Sequence, residues 1–146
     1  MPAHAPARTR VLTVLASAAL ALTAATTATA SATAADPTSW RWGAIHSTDG
    51  MATAWGKVAV GQSGLVVYGN LDDTYGKRCS WALIRYQSAT NGRWRTHGIY
   101  NCQAGTGTFR KGVGAAMQIK IQVCRGTATR PINKCSRWKT VYTQGG

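Results

Sequence analysis

Four cysteines, Cys79, Cys102, Cys124 and Cys135, constrain this 146-residue chain more than any other feature. An even count with no Cys-x-x-Cys pair reads as two disulfides, because zinc sites draw on closely spaced thiolates. Each bridge would close a loop of roughly 12 to 24 residues, worth about 3 kcal/mol in the chain-entropy description. For a small domain that is a large part of the net stability. The chain must therefore fold in an oxidising compartment, into something whose strands or loops bring these cysteines together in pairs.

The N-terminus fits that compartment. Arg8 and Arg10 precede an uncharged run, Val11 to Leu22, and a small-residue tract in which Ala-x-Ala recurs up to Ala34. This order predicts a secretory signal peptide over 1–35, with cleavage after Ala30, Ala32, Ala34 or Ala35 and a mature start near Asp36. The apolar run is shorter than the roughly 20 residues needed to cross a bilayer, so a released, extracellular protein without a membrane span is expected. Residues 36–146 suffice for one domain with a modest core.

Charge narrows the partners. The chain has 17 Lys and Arg against 4 acidic residues, none of them glutamate, for a net charge of +13. Without Arg8 and Arg10 this becomes about +11. Such a field attracts nucleic acid, teichoic-acid-bearing walls, anionic lipid or an acidic protein, although it also serves plain solubility.

The mature sequence shows strand periodicity and no helical period. Residues 36–56 mix Trp40, Trp42, Trp55, Pro37 and Gly50 without sustained alternation, which predicts an extended N-terminal arm. From Lys57 onward, Lys-Val-Ala-Val, Gly-Gln-Ser-Gly and Leu-Val-Val-Tyr-Gly-Asn-Leu read as strand, turn and strand, followed by a loop from Asp72 to Gly76. Segments 80–87 and 93–100 flank Ala-Thr-Asn-Gly, a hairpin signal. Further strands are expected at 108–111, 117–124 and 137–143.

The four-residue loop Ala89 to Gly92 sets Cys79 opposite Cys102. Placing Cys124 opposite Cys135 likewise sets Lys120 against Lys139 and Gln122 against Arg137, with Met117, Ile119, Ile121, Val123 and Trp138 on the other face. Sequential pairing, Cys79–Cys102 and Cys124–Cys135, follows from these registers. Lys120, Arg137 and Lys139 then form a basic strip. Like charges facing each other across a ladder are mildly unfavourable, which an anionic partner would relieve and splaying into water would also relieve.

Four tryptophans adjoin cations in three segments: Trp40-Arg41-Trp42, Arg93-Trp94-Arg95 and Arg137-Trp138-Lys139. Interleaved bases and rings suit single-stranded nucleic acid. In a strand, however, the two arginines of Arg-Trp-Arg share one face and the tryptophan takes the other, so core tryptophans beneath a basic face are expected. Trp40, Arg41 and Trp42, in the arm, are candidates for anchoring a protein partner.

Catalytic candidates are few. His46 and His97 are the only histidines after the signal peptide, and a ribonuclease-like base and acid would need them to converge. Ser63 in Gly-Gln-Ser-Gly lacks the nucleophile-elbow frame. Asp72 and Asp73 lack the following ligands of a calcium loop. No catalytic residue, metal or cofactor is expected.

The segment Leu65-Val66-Val67-Tyr68-Gly69, the loop at Asp73-Thr74 with glycine and cysteine soon after, and the motifs Val123-Cys124-Arg125 and Cys135-Ser136-Arg137-Trp138 resemble small secreted β-sandwich proteins of actinobacteria. Among these are the adaptor subunits of umbrella toxin particles. The resemblance implies a non-catalytic adaptor that joins a lectin subunit to a large toxin and docks through its N-terminal extension. The expectation is thus an all-β protein, a small antiparallel β-sandwich over 57–146 with two disulfides and an N-terminal arm over 36–56, that binds an extracellular protein partner. The alternatives are a basic binder of anionic polymer, cell wall or nucleic acid, and a small ribonuclease-like or antimicrobial enzyme.

Overall fold

The computed structural model describes residues 38–146; the expected signal peptide and Asp36 lie outside them. Nine strands account for the regular structure: β1 (Ser39–His46), β2 (Ala52–Gly61), β3 (Gly64–Asp73), β4 (Cys79–Ser88), β5 (Trp94–Asn101), β6 (Gly105–Gly114), β7 (Ala116–Gly126), β8 (Pro131–Asn133) and β9 (Lys139–Thr143). They form two antiparallel sheets packed as a sandwich, one in the order β1-β2-β3-β6, the other β5-β4-β7-β8 with β9 also on β7. The all-β reading holds because alternation is the dominant period. In β7, Ile119, Ile121 and Val123 are fully buried, while Gln118, Lys120 and Gln122 between them are only half-buried. The inward positions of both sheets, Val58, Val67, Leu71, Ala82, Ile84 and the three from β7, make one core.

Both hairpins read from the sequence form. The β2–β3 turn is Gln62-Ser63, closed by the pair Gly61 and Gly64, with Gly64 at φ 109°, a backbone conformation that glycine adopts without strain. The β4–β5 ladder pairs Ser80 with Asn101 and Gln87 with Trp94. That register brings Cys79 and Cys102 together as a disulfide.

The N-terminal arm is not an arm. Ser39 to Trp42 pair with Ala59 to Gly56, and Ile45 and His46 pair with Ala54 and Thr53. Trp42 and Ile45 are buried at 8% and 3% exposure, and Trp40 packs edge-on against Tyr142 at 4.8 Å between ring centroids. The segment therefore supplies an edge strand and part of the core. Its alternation escapes notice because a bulge between Trp42 and Ile45 puts two residues, not one, between successive inward side chains.

The second disulfide, Cys124–Cys135, also forms as expected, but the register beyond it slips. Lys120 faces Thr140, and Lys139 faces Ile121. A one-residue slip reverses which face each side chain takes, so Lys139 does not stand opposite Lys120, and Arg137 lies exposed in the irregular stretch before β9. The cause lies between β8 and β9. There Lys134 has φ 57°, the Ser136 hydroxyl accepts the Val123 N–H at 3.0 Å, and the Ser136 N–H donates to the Val123 carbonyl at 2.8 Å. A side chain thus replaces a backbone acceptor, and the extra residue shifts the strand.

At one end of the sandwich the core holds an ion pair, Arg125 with Asp73. The same guanidinium nitrogen of Arg125 donates to Ser80 Oγ at 3.1 Å and to the Met51 carbonyl at 3.2 Å. Asp73, expected in a loop, ends β3 instead.

Candidate functional site

The outer face of the second sheet is where charge and aromatic surface meet. In antiparallel ladders directly opposed residues share a face. The pairings Thr96–Arg85, Arg85–Lys120 and Lys120–Thr140 therefore run as one row across β5, β4, β7 and β9. The next row is Trp94, Gln87, Gln118 and Thr143. Two cations thus stand side by side on neighbouring strands. The like-charge juxtaposition expected of Lys120 does occur, with Arg85 as its neighbour in place of Lys139.

Trp94 makes that arrangement tolerable. Its ring centroid lies 4.9 Å from Arg85 Cζ and 5.3 Å from Lys120 Nζ, and the Trp138 ring lies 5.9 Å from Arg85 Cζ. A cation near an aromatic face gains roughly 0.5–1 kcal/mol at exposed sites, which offsets cross-strand repulsion of similar size. The expectation that Trp94 belongs to the core is thereby corrected. Alternation rightly separates it from its flanking arginines, but β5 is an edge strand, and Trp94 takes the outward side at 36% exposure.

The other half of this face is rigid. Trp81, Cys79 and Cys124 form a small buried cluster with both disulfides. Tyr100 covers Trp81 at 5.1 Å, and the Trp81 indole N–H donates to the Thr127 carbonyl at 2.8 Å. Gly98, opposite Leu83, leaves room for the Trp81 ring, which a Cβ at this position would approach to 2.8 Å. Cross-links and a pinned indole hold β4, β5 and β7 in fixed relation. The row Arg85–Lys120 is therefore preorganised.

Among the described residues no Asp or Glu side chain lies on this face. Among the described residues the acidic side chains are Asp49, Asp72 and Asp73; Asp73 is held by Arg125, Asp72 accepts from Thr106 and Thr74, and Asp49 accepts from Ser47. The Arg125–Asp73 pair is the one salt bridge found among the described residues. The field over Arg85 and Lys120 is accordingly not neutralised from within.

The remaining sequence candidates are dispersed. Trp42 is a core residue and Trp40 is half-buried against it, so of the three proposed partner anchors only Arg41 is exposed. His46 lies on β1 and His97 on β5, in different sheets. His46 shares a hydrogen bond with Thr53 Oγ1 at 2.9 Å. Partial desolvation, then the nearby Lys111 charge, lower the His97 pKa below its ordinary value. Arg85 and Trp94 were not legible as a site because they are distant in sequence and meet only through the β4–β5 ladder.

No protein-family model, no curated protein and no solved structure matches this chain.

Proposed function

We propose that this protein is a secreted, non-catalytic binding domain that captures an extracellular anionic polymer on the outer face of its disulfide-bearing sheet. The observation that carries this reading is the cross-strand pair Arg85–Lys120, both cations over the Trp94 ring and neither paired with a carboxylate. Two fixed positive charges accept consecutive anionic groups of a chain. The flanking Gln87, Gln118, Thr96 and Thr140 offer neutral hydrogen-bonding groups along its length. Two disulfides suit the oxidising exterior of a cell, and the expected signal peptide would deliver the chain there. An adaptor role toward a protein partner drew on Trp40 and Trp42 as free anchors, and their packing removes that support.

Titration of the protein with poly(glycerol phosphate) tests the reading. Binding should weaken steeply as salt rises from about 50 to 200 mM, since each neutralised phosphate releases counterions. Arg85→Gln with Lys120→Gln should lower the slope of log affinity against log salt by about 2, or roughly one per lost cation. Trp94→Ala should weaken binding roughly tenfold. A double variant that binds as tightly, and with the same salt slope, contradicts the assignment.

A further inference from the structure

The opposite sheet carries a separate depression of about 500 Å³, within the size range of small-ligand sites. Its lining comes from four strands. One cross-strand row reads Arg41, Lys57 and Tyr68, continued just outside the depression by Arg110. The neighbouring row on the same face reads Trp55, Asn70 and Thr108. All of these occupy positions that alternate with the core residues Ala54, Val58, Val67 and Leu71, so they face away from the core. Between the rows run Gly56 and Gly69, paired with each other. The Phe109 ring lies within 2.2 Å of where a Gly69 Cβ would stand, which requires glycine there.

The two sides of the depression differ chemically. On one side Lys57 and Arg110 lie 5.8 Å and 5.7 Å from the Tyr68 centroid, and Arg110 Nε donates to the Tyr68 hydroxyl at 3.4 Å. The Tyr68 ring is engaged by cations and is not an open stacking surface. On the other side Trp55 has neither a ring nor a cation partner among the described residues, and the Asn70 amide and Thr108 hydroxyl make no side-chain hydrogen bond there. Trp42, whose indole N–H is buried without a partner, belongs to the same lining.

We infer that this depression binds an acidic sugar residue of a glycan. Trp55 is half-buried and packs in part against the core, and the ring surface it leaves toward the depression suits the slightly positive C–H face of a pyranose, because the ring face carries negative potential. An amide and a hydroxyl, each able to donate and accept, match sugar hydroxyls beside that platform. Arg41 and Lys57, directly paired across the ladder, take the carboxylate by charge-assisted hydrogen bonds. A nucleotide fits less well, since its base would need the stacking surface and its phosphate the cations at a separation that leaves Asn70 and Thr108 unused.

Calorimetric titration of the wild-type protein with a single acidic sugar, methyl galactopyranosiduronate, with its methyl ester and with a nucleoside monophosphate tests the inference. The free acid should bind, and the methyl ester, which keeps the ring and removes the charge, should bind at least tenfold more weakly. Trp55→Ala and the exposed Lys57→Gln should each cost about tenfold, whereas Arg85→Gln with Lys120→Gln on the other sheet should change little. Lys57→Gln keeps the test decisive if loss of the half-buried indole disturbs folding. Absence of binding, equal binding of acid and ester, tighter binding of the nucleotide, or a loss confined to the Arg85 and Lys120 variant each overturns the inference. The last outcome would leave the polymer site intact while removing this one.

Discussion

Removal of residues 36–47 is expected to unfold the domain rather than free it from a docking arm. The deletion strips β1 from β2 and takes Trp42 and Ile45 out of the core. Trp42→Ala alone should cost about 3–5 kcal/mol, the range for a large aromatic removed from a packed interior. In a domain of this size that lowers the melting temperature by roughly 15–30 °C. Arg41→Ala, on the same strand but exposed, should stay within about 0.5 kcal/mol of wild type. Thermal melts of the three proteins check this. A truncated protein that melts like the full domain would return the segment to the role of a detachable arm.

Asp73→Ala should be nearly as damaging. Asp73 is fully buried and the Arg125 side chain is 5% exposed, so the substitution leaves a guanidinium enclosed without its counterion. Breaking one side of such a pair typically costs about 3–5 kcal/mol. The loss would spread beyond the pair, because Arg125 ties β7 to Ser80 on β4 and to the Met51 carbonyl before β2. Replacing both partners with apolar residues, Asp73→Leu with Arg125→Met, should recover most of the stability, since no uncompensated charge remains. Denaturant melts distinguish the outcomes: a single variant as stable as wild type, or a double variant no better than the single, contradicts the account.

The neighbouring Asp49 adds a pH dependence of known sign. Burial pushes its carboxyl up, but the Ser47 hydroxyl, the Met51 N–H and the Arg125 charge together outweigh this and hold it below 3.8. A carboxyl lowered in the folded state adds stability above its unfolded pKa and loses it as pH falls through the folded value. Acidification below about pH 4 should therefore destabilise the wild-type domain, and Asp49→Asn should flatten that part of the profile.

The sequence discloses the fold where local signals determine register. Asn91-Gly92 marks a tight loop, the loop length fixes β4 against β5, and the first disulfide follows. Where register depends on irregular backbone, local signals fail. The bulge after Trp42 hides β1, since the spacing of inward residues changes from two to three. Ser136 moves Lys139 off the face of Lys120 by supplying a side-chain oxygen where a carbonyl would stand. The site shows the same division. Lys120 is legible as an outward cation on an alternating strand, but its neighbours Arg85 and Trp94 come from two other strands and are brought to it only by long-range pairing. Alternation also says that Trp94 opposes Arg93 and Arg95 without saying which face is the core, and at a sheet edge the burial cue is weakest.

The binding face itself is tested most directly by backbone and indole amide chemical-shift mapping during titration with poly(glycerol phosphate). The largest shifts should fall on the Trp94 and Trp138 indole N–H groups and on the amides of Arg85, Gln87, Gln118 and Lys120. Shifts that spare these groups and gather elsewhere, along Arg41 to Ile45 for example, would contradict the assignment of this face as the polymer-binding surface.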